Sequence, residues 1–355
     1  MENGKGQKII VGVSGGLDST VSLLRLKEAG WSPIGVTLQV PAWEGGDAFK
    51  TADAARVCEK LDIPHVVVDV KEDFKERVGK YFRKELQNNF TPNPCVVCNR
   101  FLKFKELLRI AEEKGISYIA TGHYVQKRFN SNTEKYELLK GKDTPKDQSY
   151  MLSFLNQEQL RKAIFPVGEL TYSEVQEVAR DNNLKEVLKK EPSQDFCYLK
   201  DSSFSDYIEK ELPQTTGNIV NKDGEVLGSH PGLYYYTRGQ RRGLDLPGGP
   251  YYVVGFKEDK NEVVVTRDKK DLQCQSVSLS PFNFISGDYP SKKRNIEASI
   301  RYNQTPQAAT IYPPQEGRLK ISFEKPFQGV SPGQFCVFYK GEVCLGGGRI
   351  MEINS

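Results

Sequence analysis

The chain has 355 residues, of which 38% are hydrophobic and 27% charged, a composition typical of a soluble globular protein with two or three domains. Its formal net charge of +4 is too small to indicate a nucleic-acid-binding protein by itself. No apolar run is long enough to span a membrane, and the opening residues MENGKGQ resemble neither a signal peptide nor a transit peptide, so we expect a cytoplasmic protein with no membrane partner.

Up to about Asp201, short apolar runs alternate with stretches of helical periodicity. The predicted strands cover residues 8–13, 34–38, 65–70 and 117–120, and the predicted helices cover residues 19–29, 53–61 and 103–114. Strands interleaved with helices indicate βαβ units and a parallel sheet. We therefore predict an α/β fold with a doubly wound parallel sheet, which binds ligands at the carboxyl ends of its strands.

Beyond about Asp201, turn-forming residues separate short strand-like runs. These runs cover residues 251–256 and 262–266 and, from about Leu272 onward, residues 297–302, 319–323, 335–339 and 342–345. Several short strands at regular spacing predict a small β-barrel at the C-terminal end. Three consecutive glycines at 346–348 follow no βαβ pattern, and we interpret them as a turn.

A glycine-rich segment joins the first predicted strand to the first predicted helix. It reads Gly12-Val13-Ser14-Gly15-Gly16-Leu17-Asp18-Ser19. Paired glycines let the backbone approach an anion closely, and the Ser14 and Ser19 hydroxyls and the helix N-terminus favour a phosphate group. Two glycines alone would equally form an ordinary turn with Asp18 or Ser19 as the helix cap. The full string SGGLDS is more specific, and it does not contain the Walker A pattern.

Cysteines form the second informative group. Cys95 and Cys98 make a CxxC pair after two prolines, and Cys197 follows later in SQDFCYL, whereas the other four of the seven cysteines lie in apolar runs. Buried structural thiols, half of a metal site and a catalytic thiol all fit a CxxC pair, and the spacing alone favours a metal site. No second CxxC follows, so a closed four-cysteine zinc site would need ligands from elsewhere. We expect Cys98 to lie just before a helix that starts near Phe101, where the helix N-terminus would lower the pKa of its thiol.

These motifs carry a resemblance to known proteins. SGGLDS matches the SGGxDS loop of the ATP pyrophosphatase superfamily, which splits ATP into AMP and pyrophosphate. TPNPCVVCNRFLKF, IATGHY, KDTPKDQSYML, FPVGEL and SQDFCYL occur in the order found in the bacterial tRNA-specific 2-thiouridylases. The chain resembles that family over nearly its whole length. The resemblance implies an ATP pyrophosphatase catalytic domain at residues 1–203, a small central tRNA-contacting domain at 204–271 and a C-terminal β-barrel at 272–355.

The activity implied by the resemblance is ATP-dependent transfer of sulfur to tRNA. ATP, with Mg²⁺ held near Asp18, adenylates O2 of the wobble uridine; sulfur from a persulfide carrier or sulfide then attacks C2, and AMP leaves 2-thiouridine. In the family scheme the implied catalytic residues are Cys98 and Cys197, which end as a disulfide that a reductant reopens. The implied ATP-binding residues are Gly12, Val13, Ser14, Gly15, Gly16, Leu17, Asp18, Ser19, Leu38 and Gly122.

The resemblance also implies a set of residues that contact tRNA. They are Asn93, Pro94, Cys95, His123, Lys146, Asp147, Gln148, Arg301, Tyr302 and Gln334. A further segment with Arg238, Arg241 and Arg242 mixes arginines with aromatic residues in a manner suited to RNA. Half of its aromatic residues are equally compatible with a core.

One position departs from the family pattern. Many members carry Asp where this chain has Cys95. The three residues Cys95, Cys98 and Cys197 could bind a [4Fe-4S] cluster through three of its irons and leave the fourth open for sulfide, as in other tRNA thiolases built on the same loop. A persulfide shuttle and an iron–sulfur cluster therefore both remain open. The sulfur donor, the tRNAs and the oligomeric state cannot be read from the sequence.

Two other functions explain fewer of these residues. An ATP pyrophosphatase that acts on a small molecule accounts for SGGLDS but gives Cys98 and Cys197 no role. A zinc-stabilised RNA-binding module accounts for the CxxC pair but leaves SGGLDS without a function.

Overall fold

The computed structural model describes residues 3–47, 51–189, 196–199 and 202–354. The strands of its N-terminal part are β1 Lys8–Gly12, β2 Ser32–Gln39, β3 His65–Asp69, β4 Ile119–Ala120, β5 Val125–Asn130, β6 Lys135–Lys140 and β7 Ala163–Ile164. Five of them form a parallel sheet in the order β3-β2-β1-β4-β7, and β5 and β6 form an antiparallel hairpin. The predicted α/β fold with a parallel sheet is confirmed.

Helices cover both faces of the parallel sheet. They are α1 Leu17–Glu28, α2 Thr51–Lys60, α3 Lys71–Phe74, α4 Lys80–Gln87, α5 Pro94–Cys98, α6 Phe104–Glu113, α7 Gln157–Lys162, α8 Tyr172–Asp181 and α9 Lys185–Leu188. Two π-helical turns, Lys75–Gly79 and Asn99–Lys103, join α3 to α4 and α5 to α6. None of the helices in the described part of the chain is both long and apolar enough to cross a bilayer.

The central strand β1 is buried on both faces, and its residues therefore form a continuous apolar run in the sequence. Ile9 and Val11 pack with α1 and α8 on one face, and Ile10 packs with α6 on the other. All three side chains are fully buried. From β1 the chain continues to β2 and β3 on one side, and it later returns to β4 and β7 on the other. The crevice outside the carboxyl ends of β1 and β4 is therefore the switch point at which a doubly wound sheet binds ligands.

The central part of the chain forms a small separate sheet. Its elements are α10 Phe204–Glu211, β8 Gly217–Val220, β9 Val226–His230, β10 Tyr252–Lys257 and β11 Glu262–Thr266, with the strand order β10-β11-β8-β9. The Arg238 guanidinium donates hydrogen bonds to main-chain carbonyls of the central sheet, of the segment that follows it and of the barrel. The acceptors are the carbonyls of Val254, Asp271, Leu272 and Val330. Arg238 thus holds the central sheet against the barrel, whereas Arg241 and Arg242 are exposed. Contact of this segment with RNA stays a prediction.

The C-terminal part is a closed barrel, as predicted. Its strands are β12 Gln273–Phe284, β13 Arg294–Ser299, β14 Gln307–Ile311, β15 Leu319–Gln328, β16 Phe335–Lys340 and β17 Val343–Asn354. They follow the order β12-β15-β14-β13-β16-β17, and antiparallel pairing of β17 with β12 closes the barrel. Residues 346–348 lie within β17 and not in a turn, so that interpretation is wrong. A Cβ at Gly348 would lie 2.7 Å from Leu279 Cβ on β12, which explains the glycine by close strand packing.

The barrel is joined directly to the N-terminal part of the chain. Strand β6 pairs with β17, with Leu139 opposite Val343 and Leu138 opposite Cys344. The β5–β6 hairpin thereby extends the barrel sheet, although it belongs in sequence to the N-terminal part. The predicted domain boundaries at 203/204 and 271/272 stay a prediction.

Candidate active site

The predicted phosphate loop lies at the carboxyl end of β1, at the switch point of the sheet. Gly15 has φ +77°, and a Cβ there would lie 2.8 Å from the main-chain nitrogen of Ala54 in α2, so a side chain has no room. The Ser14 N–H donates to Ser19 Oγ (3.3 Å), and Ser19 Oγ donates to the Gly16 carbonyl (3.1 Å). No side chain caps the start of α1 at Gly16. The first amides of α1 are therefore available to an anion such as a phosphate group.

Asp18 brings a carboxylate to the same crevice. The Tyr124 hydroxyl donates to Asp18 Oδ1 (2.7 Å). Burial raises the pKa of the Asp18 carboxyl, and the hydrogen bond from Tyr124 and the charge of Lys146 oppose that rise. The Lys146 ammonium also lies 4.3 Å from the centre of the Tyr172 ring. A carboxylate beside a phosphate loop is an oxygen ligand of the kind that Mg²⁺ prefers.

The two other predicted ATP contacts, Gly122 and Leu38, lie on either side of β1. Gly122 follows β4, and a Cβ there would lie 2.8 Å from the main-chain carbon of Asp18 and 2.9 Å from the Ser19 nitrogen. Glycine is therefore needed for β4 and α1 to approach each other. Leu38 lies near the end of β2 and is partly buried against the core that includes Val68.

His123 follows Gly122 of the phosphate crevice and lies beside α6, the helix that continues from the CxxC pair. Its Nδ1 lies 2.9 Å from Thr121 Oγ1, and its ring centre lies 6.0 Å from that of Phe104, the first residue of α6. Burial, assisted by the positive charge of Lys103, lowers the pKa of His123 well below its ordinary value. The imidazole is therefore neutral near pH 7, and we assign it no acid–base role.

The CxxC pair lies in the first turns of a long helix. α5 begins at Pro94, a residue favoured at the first helical position, and continues through the π-turn into α6. The predictions that Cys98 precedes a helix starting near Phe101 and has a lowered pKa are both wrong. Burial raises the pKa of Cys98 to about 11, and the positive charge of Lys103 only partly offsets that rise.

Cys197 approaches the CxxC pair from a separate segment, Phe196–Leu199. The Phe196 ring centre lies 4.8 Å from that of Phe82, and the Trp43 N–H donates to the Tyr198 carbonyl (2.7 Å). These contacts fix the segment on both sides of the thiol. Burial raises the pKa of Cys197 to about 12, with further contributions from the neighbouring thiols of Cys98 and Cys95. The structure thus brings the three predicted cysteines together, with each side chain partly exposed.

The arrangement of ligands does not favour a metal site at these cysteines. Within the described residues, which include Cys95, Cys98 and Cys197, no three His, Cys, Asp or Glu side chains are placed to hold a metal ion. Burial raises the pKa of the Cys95 thiol, and the positive charge of Lys103 opposes that rise. The donor set in this conformation does not fit a [4Fe-4S] cluster.

The predicted Lys146-Asp147-Gln148 element is largely occupied by internal hydrogen bonds. Asp147 Oδ1 accepts from the Ser149 N–H (3.0 Å), and its Oδ2 accepts from the Ser149 hydroxyl (2.7 Å). Gln148 Oε1 accepts from the Tyr124 N–H (3.0 Å). Asp147 and Gln148 therefore stabilise this turn and its contact with Tyr124. Lys146 is the residue of the three whose positive charge acts on Asp18 in the crevice.

The barrel contributes residues to the cysteine site. Burial raises the pKa of Tyr302, and the nearby Asp147 carboxylate and Cys95 thiol raise it further. The centre of the Tyr302 ring lies 6.3 Å from that of Tyr150. The Tyr150 hydroxyl is hydrogen-bonded to the Asn93 side chain and donates to the Phe335 carbonyl (2.8 Å). Asn93 and Pro94 thus enter the site at the start of α5, against the barrel.

A cavity of about 380 Å³ opens next to this junction. All three parts of the chain line it, with Thr91, Thr237, Arg238, Gly239, Gln240, Arg301, Ser331 and Gln334. The Arg301 guanidinium donates to the Gly329 carbonyl, and the Thr91 N–H donates to the Pro332 carbonyl (2.8 Å). Arg301 and Gln334, predicted to contact tRNA, therefore line one pocket at the contact between the barrel and the segment before the CxxC pair.

Sequence reasoning missed two residues of this site. Tyr124 was not singled out, although it follows His123 in the quoted IATGHY motif. Lys103 was assigned to the start of a helix, and no sequence pattern shows the π-turn that orients it. Both act through tertiary contacts, with Asp18 in one case and with the cysteines in the other.

Comparison with family models covers the chain in three consecutive parts. The model described as "tRNA methyl transferase HUP domain" matches residues 7–201, the "tRNA methyl transferase PRC-barrel domain" matches residues 205–267, and the "Aminomethyltransferase beta-barrel domain" matches residues 274–350. Their descriptions mention methyl transfer, whereas the site built above offers a phosphate loop and three thiols.

Curated relatives extend over the whole chain. A tRNA-specific 2-thiouridylase MnmA from Clostridium perfringens is 41% identical over 365 residues, covering 98% of this chain and 99% of the relative. The protein of the same name from Clostridium acetobutylicum is 38% identical over 356 residues, covering 97% of this chain and 99% of the relative. Among solved structures, "U34-tRNA thiolase NcsA from Methanococcus maripaludis with its [4Fe-4S] cluster" is 21% identical with a TM-score of 0.36, covering 60% of this chain and 69% of that chain. That likeness is too weak to transfer the cluster to this chain.

Proposed function

The chain belongs to the family of the tRNA-specific 2-thiouridylases, and from this premise we propose that it uses ATP to place sulfur on C2 of a tRNA uridine, giving 2-thiouridine. One observation carries the proposal. The phosphate loop packs against Gly122, and the next residue, His123, lies beside Phe104 and within reach of the same Lys103 charge that acts on the three thiols. Methyl transfer would use neither feature, whereas adenylation followed by sulfur transfer uses both.

ATP serves to activate the uridine. The Ser14–Ser19 loop and the first amides of α1 hold the phosphates. Asp18 would hold Mg²⁺, and that ion would supply positive charge to the phosphate groups. The uridine O2 attacks the α-phosphorus, pyrophosphate leaves, and O2 becomes part of an AMP leaving group. Gly122 lets the end of β4 pack closely against Asp18 and Ser19, which holds the phosphate loop in place.

Sulfur then passes through the two cysteines. A persulfide carrier transfers its outer sulfur to Cys197 and leaves as a thiol. That sulfur attacks C2, the C2–O2 bond breaks, and AMP departs with the electron pair. The Cys98 thiolate next attacks Cys197 Sγ, so that a Cys98–Cys197 disulfide forms while the transferred sulfur leaves with its electron pair as 2-thiouridine. A dithiol reductant finally restores both thiols.

The tRNA is held at the junction of the three parts of the chain. Arg301, Tyr302 and Gln334 of the barrel, together with Asn93 and Pro94, surround the entrance to the cysteine site. Arg301 supplies a positive charge for the RNA backbone, and Lys146 supplies one on the phosphate side. The wobble position, the choice of tRNA and a cytoplasmic location stay predictions from the family resemblance.

The cysteine shuttle is favoured over an iron–sulfur cluster because the described cysteines are not arranged as three metal ligands. Cys95 then has the role of a wall of the base pocket beside Tyr302 rather than that of a ligand.

The proposal is tested by thiolation of tRNA with protein purified under anaerobic conditions. Bound iron is measured, and iron-free and cluster-loaded protein are each incubated with ATP, tRNA and a persulfide donor or sulfide. We expect pyrophosphate release and 2-thiouridine from the iron-free protein with the persulfide donor. Activity only in the cluster-loaded form, lost in Cys95→Ala, would instead establish cluster chemistry. No 2-thiouridine from either form would contradict the proposed function.

A further inference from the structure

The register of one helix brings a lysine to the cysteine site. Cys98 and Lys103 are five positions apart, and in a regular α-helix such residues point about 140° away from each other. Between them runs the π-turn Asn99–Lys103, in which the Phe104 N–H donates to the Asn99 carbonyl five residues earlier. Because a π-turn holds one more residue than an α-turn, residues five apart return to the same face. The π-turn therefore places Lys103 on the face of the helix that bears Cys98.

The surroundings of Lys103 agree with this register. Its positive charge acts on all three thiols and on the His123 ring. The side chain is partly buried, and within the described part of the chain no hydrogen bond or ion pair occupies its ammonium. Lys105, two residues further along, is exposed and shows no such relation to the thiols. The Lys103 ammonium is thus a positive charge directed at the cysteine site, and no group among the described residues pairs with it.

Sulfur transfer needs a positive charge at this place. The argument rests on the proposed function, in which the attacking persulfide sulfur, the Cys98 thiolate and the departing sulfur of 2-thiouridine each carry negative charge. Burial disfavours every one of these anions. The start of α5 at Pro94 lies a full turn before Cys98, so the helix N-terminus offers that residue little help.

We propose that Lys103 stabilises the negative charge on sulfur during its transfer from Cys197 to the uridine and during the attack of Cys98 on Cys197. In this role it acts after adenylation, and it belongs neither to ATP binding nor to tRNA binding. The π-turn has a function of its own, because an unbroken α-helix would point the lysine away from the thiols.

Three variants test the proposal. Lys103→Met removes the charge with a similar length of side chain, Lys103→Arg keeps the charge, and Lys105→Met is the matched control on the same helix. Pyrophosphate release with tRNA, tRNA affinity and 2-thiouridine formed in a single turnover are measured for each. We expect Lys103→Met to slow 2-thiouridine formation about 100-fold while pyrophosphate release and tRNA affinity stay within about twofold. Lys103→Arg should recover most of the rate, and Lys105→Met should behave as the wild type.

A second readout does not depend on turnover. The rate at which iodoacetamide alkylates Cys98, measured at one fixed pH in protein whose other accessible thiols are quantified by mass spectrometry, should fall in Lys103→Met and recover in Lys103→Arg. Undiminished thiolation and alkylation in Lys103→Met would overturn the inference, and so would a loss of pyrophosphate release in that variant, which would assign the lysine to the ATP step. A wild-type protein that releases pyrophosphate but forms no 2-thiouridine would overturn the proposed function instead, and the alkylation rates would still decide whether Lys103 acts on the thiols.

Discussion

The Tyr124 hydroxyl donates a hydrogen bond of 2.7 Å to the Asp18 carboxylate, across the crevice between the end of β4 and the start of α1. Tyr124 is itself held by Gln148, which accepts from its N–H and donates its own main-chain N–H to the Tyr124 carbonyl. The motifs SGGLDS, IATGHY and KDQ are far apart in sequence, and they are joined here through Asp18, Tyr124 and Gln148. The relationship gives the turn around Gln148 a structural role, since it positions the tyrosine that holds Asp18.

Removing the Tyr124 hydroxyl should impair the ATP step at low pH. Burial raises the pKa of Asp18, the hydrogen bond from Tyr124 opposes that rise, and the carboxylate is the form that takes Mg²⁺. In Tyr124→Phe the pKa rises further, so the acid limb of pyrophosphate release should move to higher pH by about one unit. Tyr289→Phe, at an exposed tyrosine, should leave the profile in place. An unshifted profile in Tyr124→Phe would show that the hydroxyl does not tune Asp18.

Gly122→Ala should weaken ATP binding through a steric clash alone, because the φ angle of residue 122 does not lie in the left-handed region that favours glycine. The added Cβ would lie 2.8 Å from the main-chain carbon of Asp18 and 2.9 Å from the Ser19 nitrogen, so the start of α1 must move. We expect the KM for ATP to rise about tenfold or more, since small displacements of a phosphate loop are costly. Gly79→Ala, where the nearest atom would be 3.9 Å away within a helical segment, is the control and should change nothing. Equal effects from both substitutions would contradict the steric argument.

Gly333→Ala should loosen the barrel from the segment before the CxxC pair. Gly333 has φ +86°, and a Cβ there would lie 2.7 Å from Phe90 Cβ and 2.9 Å from the Thr91 main chain. We expect weaker tRNA binding and slower thiolation, because the pocket with Arg301 depends on this docking. Gly341→Ala has a comparable positive φ but meets no atom within 4 Å, and it isolates the cost of the backbone conformation. Filter-binding affinities for tRNA that are equal in the two variants would argue against a docking role.

The buried ion pair between Glu85 of α4 and Arg349 of β17 should be a main stabilising link between the catalytic part and the barrel. Arg349 Nε and Nη2 donate to the two carboxylate oxygens at 2.6 and 2.7 Å, and the Glu85 residue is only 3% exposed. Arg349→Met leaves a buried carboxylate without its partner and should lower the free energy of unfolding by about 3–5 kcal/mol.

The control for this pair is the Arg128–Glu137 pair of the β5–β6 hairpin, in which the arginine is exposed and the glutamate partly buried. Arg128→Met should change the free energy of unfolding by less than about 1 kcal/mol. Urea unfolding followed by tryptophan fluorescence measures both variants. A small effect of Arg349→Met would mean that the two parts are held together by other contacts.

Much of the fold could be predicted from the sequence because its central strands are buried on both faces. Ile9, Ile10 and Val11 are fully buried, and such strands appear as apolar runs. The hairpin β5–β6 has no such pattern, since its stability comes from pairing with β17 of the barrel. Strand β7 has two residues, and only its neighbour β4 identifies it as a strand.

The sequence was enough to predict which residues form the candidate site, but not the pKa of Cys98 or the position of Lys103. Motifs identify SGGLDS and the three cysteines. The helix was expected to start near Phe101, whereas it begins at Pro94, because proline is favoured at the first helical position. The predicted fall in the pKa of Cys98 failed for the same reason, because the thiol lies beyond the first turn and burial dominates. The π-turn that orients Lys103 is defined by the hydrogen bond from the Phe104 N–H to the Asn99 carbonyl, and no residue pattern in the sequence predicts that bond.

The most direct test of the account is whether Cys98 and Cys197 form a disulfide as sulfur reaches the tRNA. Protein carrying one persulfide sulfur is mixed with ATP and tRNA without reductant, stopped by acid, and analysed by mass spectrometry for the disulfide and for 2-thiouridine. The account predicts one Cys98–Cys197 disulfide for each 2-thiouridine formed, and neither product in Cys197→Ser although pyrophosphate is still released. Full 2-thiouridine formation without the disulfide, or in Cys197→Ser, would contradict it.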